Sequence, residues 1–215
     1  MPSELQQPET VVLIHGWISH RYLMKPLEWR IQRAGYATRN WGYRSLRASI
    51  EDHAEDFASF LHGLDQSTSA PFHIITHSMG SIVTRWVLQH HQFVHLGRIV
   101  MLCPPNRGSH MARRVSTVLR GSLGTLNQIS DRPDSFVNQL PLQTGKPIGI
   151  VVANGDRVVR PDATHLADAA DTVHVPGMHN SVLFKQSVVD LCVRFLKTGK
   201  FTSSEHVVPT HAKTD

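Results

Sequence analysis

The sequence predicts an α/β protein, a mostly parallel sheet of about six strands with helices on both faces. Three observations carry that expectation. Short apolar runs alternate with stretches of helical periodicity along the whole chain. Val11-Val12-Leu13-Ile14 is apolar without alternation, as expected of a strand covered on both faces. The candidate functional residues all fall just after predicted strands, on the edge where such sheets bind ligands.

The first strand, Val11–Ile14, ends at His15-Gly16. Tyr22 to Ala34 then reads as a helix, and Tyr36 to Tyr43 as the second strand, entered through Gly35. Ile50, Ala54, Phe57, Leu61 and Leu64 follow helical spacing and give one apolar stripe, with Ser45 or Ser49 as the cap. Phe72 to Thr76 is the third strand. The stretch Ser81 to His91 is helical, with Ile82, Val83, Trp86 and Val87 making a helix packed directly behind Ser78.

Arg98 to Cys103 is the fourth strand, stopped by Pro104-Pro105. Residues 106–146 break the alternation and are expected to form a short cap of one or two helices and loops. Ile148 to Ala153 is the fifth strand and Thr172 to Val175 the sixth. Phe184, Val188, Leu191 and Phe195 mark the last helix. The polar stretch from Lys197 is expected to fray, leaving one domain over residues 1–200 and a tail over 201–215.

Composition excludes several functions. At 215 residues, 40% hydrophobic and 18% charged, the chain is long enough for a substantial core. No run reaches the roughly 18 apolar residues of a membrane span, and the N-terminus lacks a basic start and an apolar segment, so the expected location is the cytoplasm. Cys103 and Cys192 fall in predicted core elements and read as buried free thiols. The 15 histidines are scattered, without metal-ligand spacing, so no metal is expected. No nucleic-acid motif accompanies the net charge of +5. Arg107, Arg113, Arg114, Arg120 and Arg132 read first as a solvated face, secondarily as a weak attraction for anionic surfaces or substrates. Oligomeric state is not legible.

The chemistry centres on Thr76-His77-Ser78-Met79-Gly80, between a strand and a helix. A serine on such a turn is exposed as a nucleophile, with small residues where the backbone passes the next helix. The usual form is G-x-S-x-G; Thr76 replaces the first glycine and needs room for its side chain. A serine also needs a base and an acid to orient it. His179, on the Pro/Gly loop after the sixth strand, is the base candidate; His174 lies inside that strand. Asp156, after the fifth strand and an Asn-Gly turn, is the acid candidate, ahead of Asp162, Asp168 and Asp171. An acyl oxyanion would be held by the Met79 backbone N–H and by one from the His15-Gly16-Trp17 loop, that of Trp17. His15 itself reads as a residue that orders this loop. Trp17, Met24, Met79, Met111 and Leu126 are the candidates for an apolar pocket.

With the order Ser, Asp, His, the chain resembles small α/β-hydrolases of the lipase and esterase type. The resemblance rests on Val11 to Trp17, Thr76 to Gly80, Pro104 to Ser109, Asp156 to Leu166, Gly177 to His179 and Phe195 to Phe201. It implies a minimal hydrolase sheet, a Ser78-Asp156-His179 triad and no cofactor. Cleavage of a small or lipid-like carboxylic ester is the function expected. A thioesterase, acyltransferase or amidase would use the same triad, and a non-catalytic binding protein on this scaffold is the reading from another class.

Overall fold

The computed structural model describes residues 7–118, 124–141 and 145–202. Six strands form one sheet in the order β2-β1-β3-β4-β5-β6. They are β1 (Thr10–Ile14), β2 (Ala37–Trp41), β3 (Phe72–His77), β4 (Leu96–Leu102), β5 (Ile148–Ala153) and β6 (Asp171–Val175). Every pairing is parallel, so all carboxyl ends share one edge.

Each face carries its own core. Helices α2 (Ile50–Ser67) and α3 (Gly80–His90) cover one, through Phe57, Leu61, Ile82 and Val83. Helices α1 (Lys25–Arg33) and α7 (Gln186–Thr198) cover the other, through Leu27, Ile31, Val188 and Phe195. Side chains alternate between the cores along each strand, which is why β1 and β5 read as unbroken apolar runs; β3 is buried throughout as well, but carries His73, Thr76 and His77. The first helix is shorter than its periodicity suggests, because Arg21–Met24 forms a 3-10 turn before Pro26 starts the α-helix. Ser49, rather than Ser45, caps α2 in a reciprocal pair with Asp52.

Strand β4 begins two residues before the expected start, at Leu96. The reason lies at Gly97, where a methyl would meet the His73 ring at 2.6 Å. His73 Nδ1 accepts from Arg98 N at 2.9 Å, and the β3–β4 register shifts beside it. A glycine that reads as a break is instead the point where a ring is seated.

The polar end does not fray at Lys197. Phe201 is buried, its N–H donates to Asp171 Oδ2 at 2.8 Å, and its ring packs tilted against Phe195 with centroids 4.8 Å apart. Both rings occupy the space over Gly149, where a methyl would meet them at 2.7 Å. The boundary expected at residue 200 therefore cuts through packed structure. Most of the expected tail, from Ser203, lies outside the described residues.

Among the described residues, the cap segment holds three short helices, α4 (His110–Val118), α5 (Gly124–Gln128) and α6 (Phe136–Gln139). Arg85 of α3 anchors it. This fully buried guanidinium donates to Asn106 O at 3.0 Å, Leu140 O at 3.1 Å and Pro141 O at 2.9 Å. Burial pushes its pKa down to about 10, where it still carries its charge at neutral pH. No described helix is long and apolar enough to cross a membrane.

Candidate active site

Ser78 follows β3 with φ of 52°, a left-handed backbone that non-glycine residues rarely adopt. Its N–H extends the sheet pairing to Leu102 O at 3.0 Å, and α3 starts immediately behind it. The turn is tight against β1. A methyl on Gly80 would lie 2.7 Å from His15 O and 2.9 Å from Ile14 O; one on Gly16 would lie 2.8 Å from Ser78 Cβ. Thr76, by contrast, fits. It is fully buried, and its hydroxyl meets Ser81 Oγ at 2.6 Å. The room that threonine needs exists because the first helical turn offers a serine to pair with it.

Asp156 and His179 are buried and joined by a 2.6 Å bond from His179 Nδ1 to Asp156 Oδ2. With Nδ1–H donated, Nε2 is left as the basic nitrogen of the neutral ring. Asp156 Oδ1 accepts from Val158 N at 2.8 Å and Val159 N at 2.9 Å. Burial alone would raise this carboxyl's pKa. His179 and the two N–H groups outweigh it and hold the group below its usual range.

The loops that carry this pair are tied together. Gly155 N donates to Gly177 O at 2.8 Å, linking the acid turn to the histidine loop. Ser109 Oγ donates to Val158 O at 2.6 Å, and Asn106 Nδ2 to Thr164 O at 2.8 Å. The Pro104-to-Ser109 segment thus braces the acid turn from the neighbouring strand. The carboxylate bonded to His179 Nδ1 is that of Asp156, and Asp171 accepts from Phe201 N instead.

His15 orders the loop after β1. Its Nδ1 bonds Gly16 O at 2.8 Å, its Nε2 accepts from Tyr43 N at 3.3 Å, and Tyr43 Oη donates to His15 O at 2.9 Å. Burial lowers its pKa, so the ring stays neutral with both nitrogens used. Among the described residues, neither the Trp17 nor the Met79 backbone N–H donates a hydrogen bond.

A cavity of about 320 Å³ connects these parts, with Gly16, Trp17, His77, Ser78 and His179 in its wall. Met111, Ala112, Val115, Leu126, Ile129 and Val159 make the rest largely apolar. The cap supplies most of these. Trp17, Met111 and Leu126 therefore line the cavity as expected. Met24 and Met79 do not; both are fully buried, one in each core. The Met79 side chain points into the α2–α3 layer because the turn after Ser78 has already entered the helix.

Two neighbours escape sequence reasoning. His77 precedes the serine; its Nε2 bonds His179 O at 3.2 Å and its ring lies 4.8 Å from that of His179. Burial, then the proximity of His179, pushes its pKa down to about 3, so it stays neutral. The signal was its place inside the motif, but nothing in a single sequence tells which way it turns. Cys103 leaves β4 with φ of 50°, and its Sγ lies within 4.8 Å of the Asp156 and His179 donor atoms. Burial and the Asp156 carboxylate raise its pKa, so it remains a thiol and a poor metal ligand. The donor set does not suit a cation. Both cysteines are buried and free.

Of the described cap arginines, none lines the cavity. Arg113 pairs with Asp131 at 2.9 Å. Arg120 lies outside the described residues.

A fully parallel sheet with a strand–serine–helix turn and a histidine–carboxylate pair on one edge defines an α/β-hydrolase architecture. The chain belongs to the alpha/beta hydrolase family, whose model matches residues 11–145. Among solved structures, Bacillus licheniformis lipase BlEst2 in mature form aligns at TM-score 0.68 and 15% identity, over 84% of this chain and 88% of that one. Aspergillus fumigatus lipase B aligns at TM-score 0.68 and 14% identity, over 88% of this chain and 52% of that one. Phospholipase PlaB from Legionella pneumophila, in complex with thio-NAD, aligns at TM-score 0.60 and 19% identity, over 74% of this chain. The chain spans 44% of the length of PlaB. At these identities the likeness is one of fold. A search of curated proteins gave no significant match. The fold and the family are thus established, and lipases and a phospholipase are among the structural neighbours.

Proposed function

We propose that the protein is a serine hydrolase that cleaves carboxylic esters through an acyl-serine intermediate. One observation carries the reading: the short Asp156–His179 bond leaves His179 Nε2 free in the wall of a cavity that also contains Ser78. Ser78 Oγ attacks the ester carbonyl while His179 Nε2 takes its proton. Asp156 holds the ring and stabilises its charged form. The backbone N–H groups of Trp17 and Met79 receive the oxyanion, and neither donates to another described residue. Collapse expels the alcohol, protonated by His179. Water, activated by the same histidine, then attacks the acyl-serine and releases the acid. The apolar cap residues suit an acyl chain, and Trp17 contributes its indole to that wall.

The test is labelling with a fluorophosphonate, followed by turnover of an aryl-ester chain-length series. The wild type should label and turn over, and Ser78→Ala should do neither, with activity down at least about 10⁴-fold. Equal labelling of the two proteins would sink the assignment. Including thioesters and amides of the same acyl group reports the preferred leaving atom.

A further inference from the structure

We infer that the ester taken by this site carries an anionic group, of phosphate type, on its alcohol portion. The inference rests on the hydrolase reading above and names its substrate class.

Beside the apolar cavity lies a second, open hollow of about 540 Å³. Ile18 and Ser19 border both, so the loop after β1 is the partition between them. The two hollows differ in chemistry. The first is walled by aliphatic cap residues. The second presents Arg21, Arg44, Arg47 and His20, with no carboxylate in its wall. Among the described residues, none of these three arginines has an ion-pair partner, whereas Arg113 and Arg160 share Asp131.

The backbone that carries these cations is fixed, so their side chains start from defined positions on one hollow. The stem of Arg21 lies over Gly42, where a methyl would meet its carbons at 3.1 to 3.4 Å. Arg21 O accepts from Asn40 Nδ2 at 3.0 Å. Arg44 and Arg47 bracket a turn closed by Arg47 N donating to Arg44 O at 2.9 Å. The base of that turn is fixed by Tyr43, whose ring stacks on His15 at 4.5 Å. The arginine turn is thereby coupled to the loop that carries the proposed oxyanion donor.

A third observation sits on the partition itself. Ser19 Oγ is buried without a hydrogen-bond partner among the described residues. Such a hydroxyl costs stability unless something completes it. A substrate crossing from one hollow to the other brings an oxygen past this position.

The division of labour follows from solvation. A charged group entering the aliphatic cavity would lose its water without compensation. The acyl chain therefore occupies that cavity, with the ester carbon at Ser78. The alcohol passes over Ile18 and Ser19 and delivers its anion to the arginines, whose planar forks match phosphate oxygens. The bond cleaved remains the acyl–oxygen bond. Water supplies the hydroxyl of the acid, and the phosphorylated alcohol leaves with a proton.

Octanoyl glycerol 3-phosphate and 1-octanoylglycerol, both below their aggregation concentrations, form the test pair. Wild type should show the higher kcat/KM on the phosphorylated ester. Arg44→Gln with Arg47→Gln should lower that preference about tenfold, the product of two exposed charge pairs, and 0.5 M salt on the order of as much. A preference that is absent, or equal in wild type and variant, overturns the inference. So does a variant defect seen only on anionic vesicles, which would assign the arginines to a lipid surface. Calorimetric Kd values for the same pair on Ser78→Ala decide the matter without turnover. If wild type cleaves neither ester, the hydrolase reading fails, while a tighter Kd for the phosphorylated ester, weakened by the arginine changes, still upholds the anionic subsite. Equal Kd values for the two esters overturn it.

Discussion

Thr76 and Ser81 offer a sharp test of how this nucleophile turn is stabilised. Their hydroxyls meet at 2.6 Å in a fully buried position between β3 and α3. Thr76→Val keeps the shape and removes one hydroxyl, leaving Ser81 Oγ buried and unmatched. Ser81→Ala leaves the Thr76 hydroxyl in the same state. Each single change should cost about 2 kcal/mol, the penalty of an orphaned buried polar group. The double variant removes both groups and should cost only about 1 kcal/mol. The singles would then sum to about 4 kcal/mol, so the pair is coupled by about 3 kcal/mol. Urea unfolding followed by circular dichroism, at a pH where histidines are neutral, measures all four proteins, with m-values checked for constancy. Additivity to within about 0.5 kcal/mol would refute the reasoning, since it would mean the two hydroxyls are satisfied independently.

Three further outcomes are expected. Gly80→Ala drives a methyl to 2.7 Å from His15 O, a backbone atom that cannot swing aside, and should cost about 1–3 kcal/mol together with most of the activity; full activity and stability would show the turn to be looser than described. Phe201→Ala should lose about 3–5 kcal/mol, read by the same urea titration, because the ring fills the space over Gly149; a cost below about 1 kcal/mol would return residues from 197 onward to the status of a tail. For pH, His77 sits at about 3 against an ordinary value near 6.5, so its neutral form is the one the fold binds. Its contribution is complete above about pH 6.5 and is lost as pH falls towards 3, by about 1.4 kcal/mol per pH unit. His77→Gln should therefore flatten the fall of stability between about pH 6 and pH 4 by that slope; parallel curves for the two proteins would count against a buried neutral His77.

The elements legible in the sequence were those whose surroundings are uniform. β1 and β5 are covered on both faces, so burial is written in them as apolar runs, and the residues after each strand of a parallel sheet share an edge. Ser78, Asp156 and His179 are candidates because they stand on that edge. What stayed hidden depends on partners remote in sequence. Nothing local says that Gly97 seats His73, that Gly149 seats Phe201, or that Arg85 collects carbonyls from the cap. In sequence, the arginines cluster in the cap. Arg21, Arg44 and Arg47 are spread over two segments and meet only because β1 and β2 are neighbours. The motif places Met79 beside Ser78, which suggests the pocket, yet the start of the helix turns its side chain to the core.

Ile18, Ser78 and Cys103 all have left-handed backbones, with φ near 50°, in turns at the carboxyl edge of the sheet. None is glycine, and Ile18 is β-branched, where such a conformation is a true outlier. Each costs roughly 1–3 kcal/mol that the rest of the fold must offset. The protein is accordingly less stable than its core alone would make it, and the deficit is concentrated where its loops face the cavity. Selection for heat resistance alone would draw these positions towards glycine or asparagine. Variants enriched that way should gain melting temperature while losing the rigidity of the turns around Ser78, so a screen on stability and a screen on turnover would pull this edge in opposite directions.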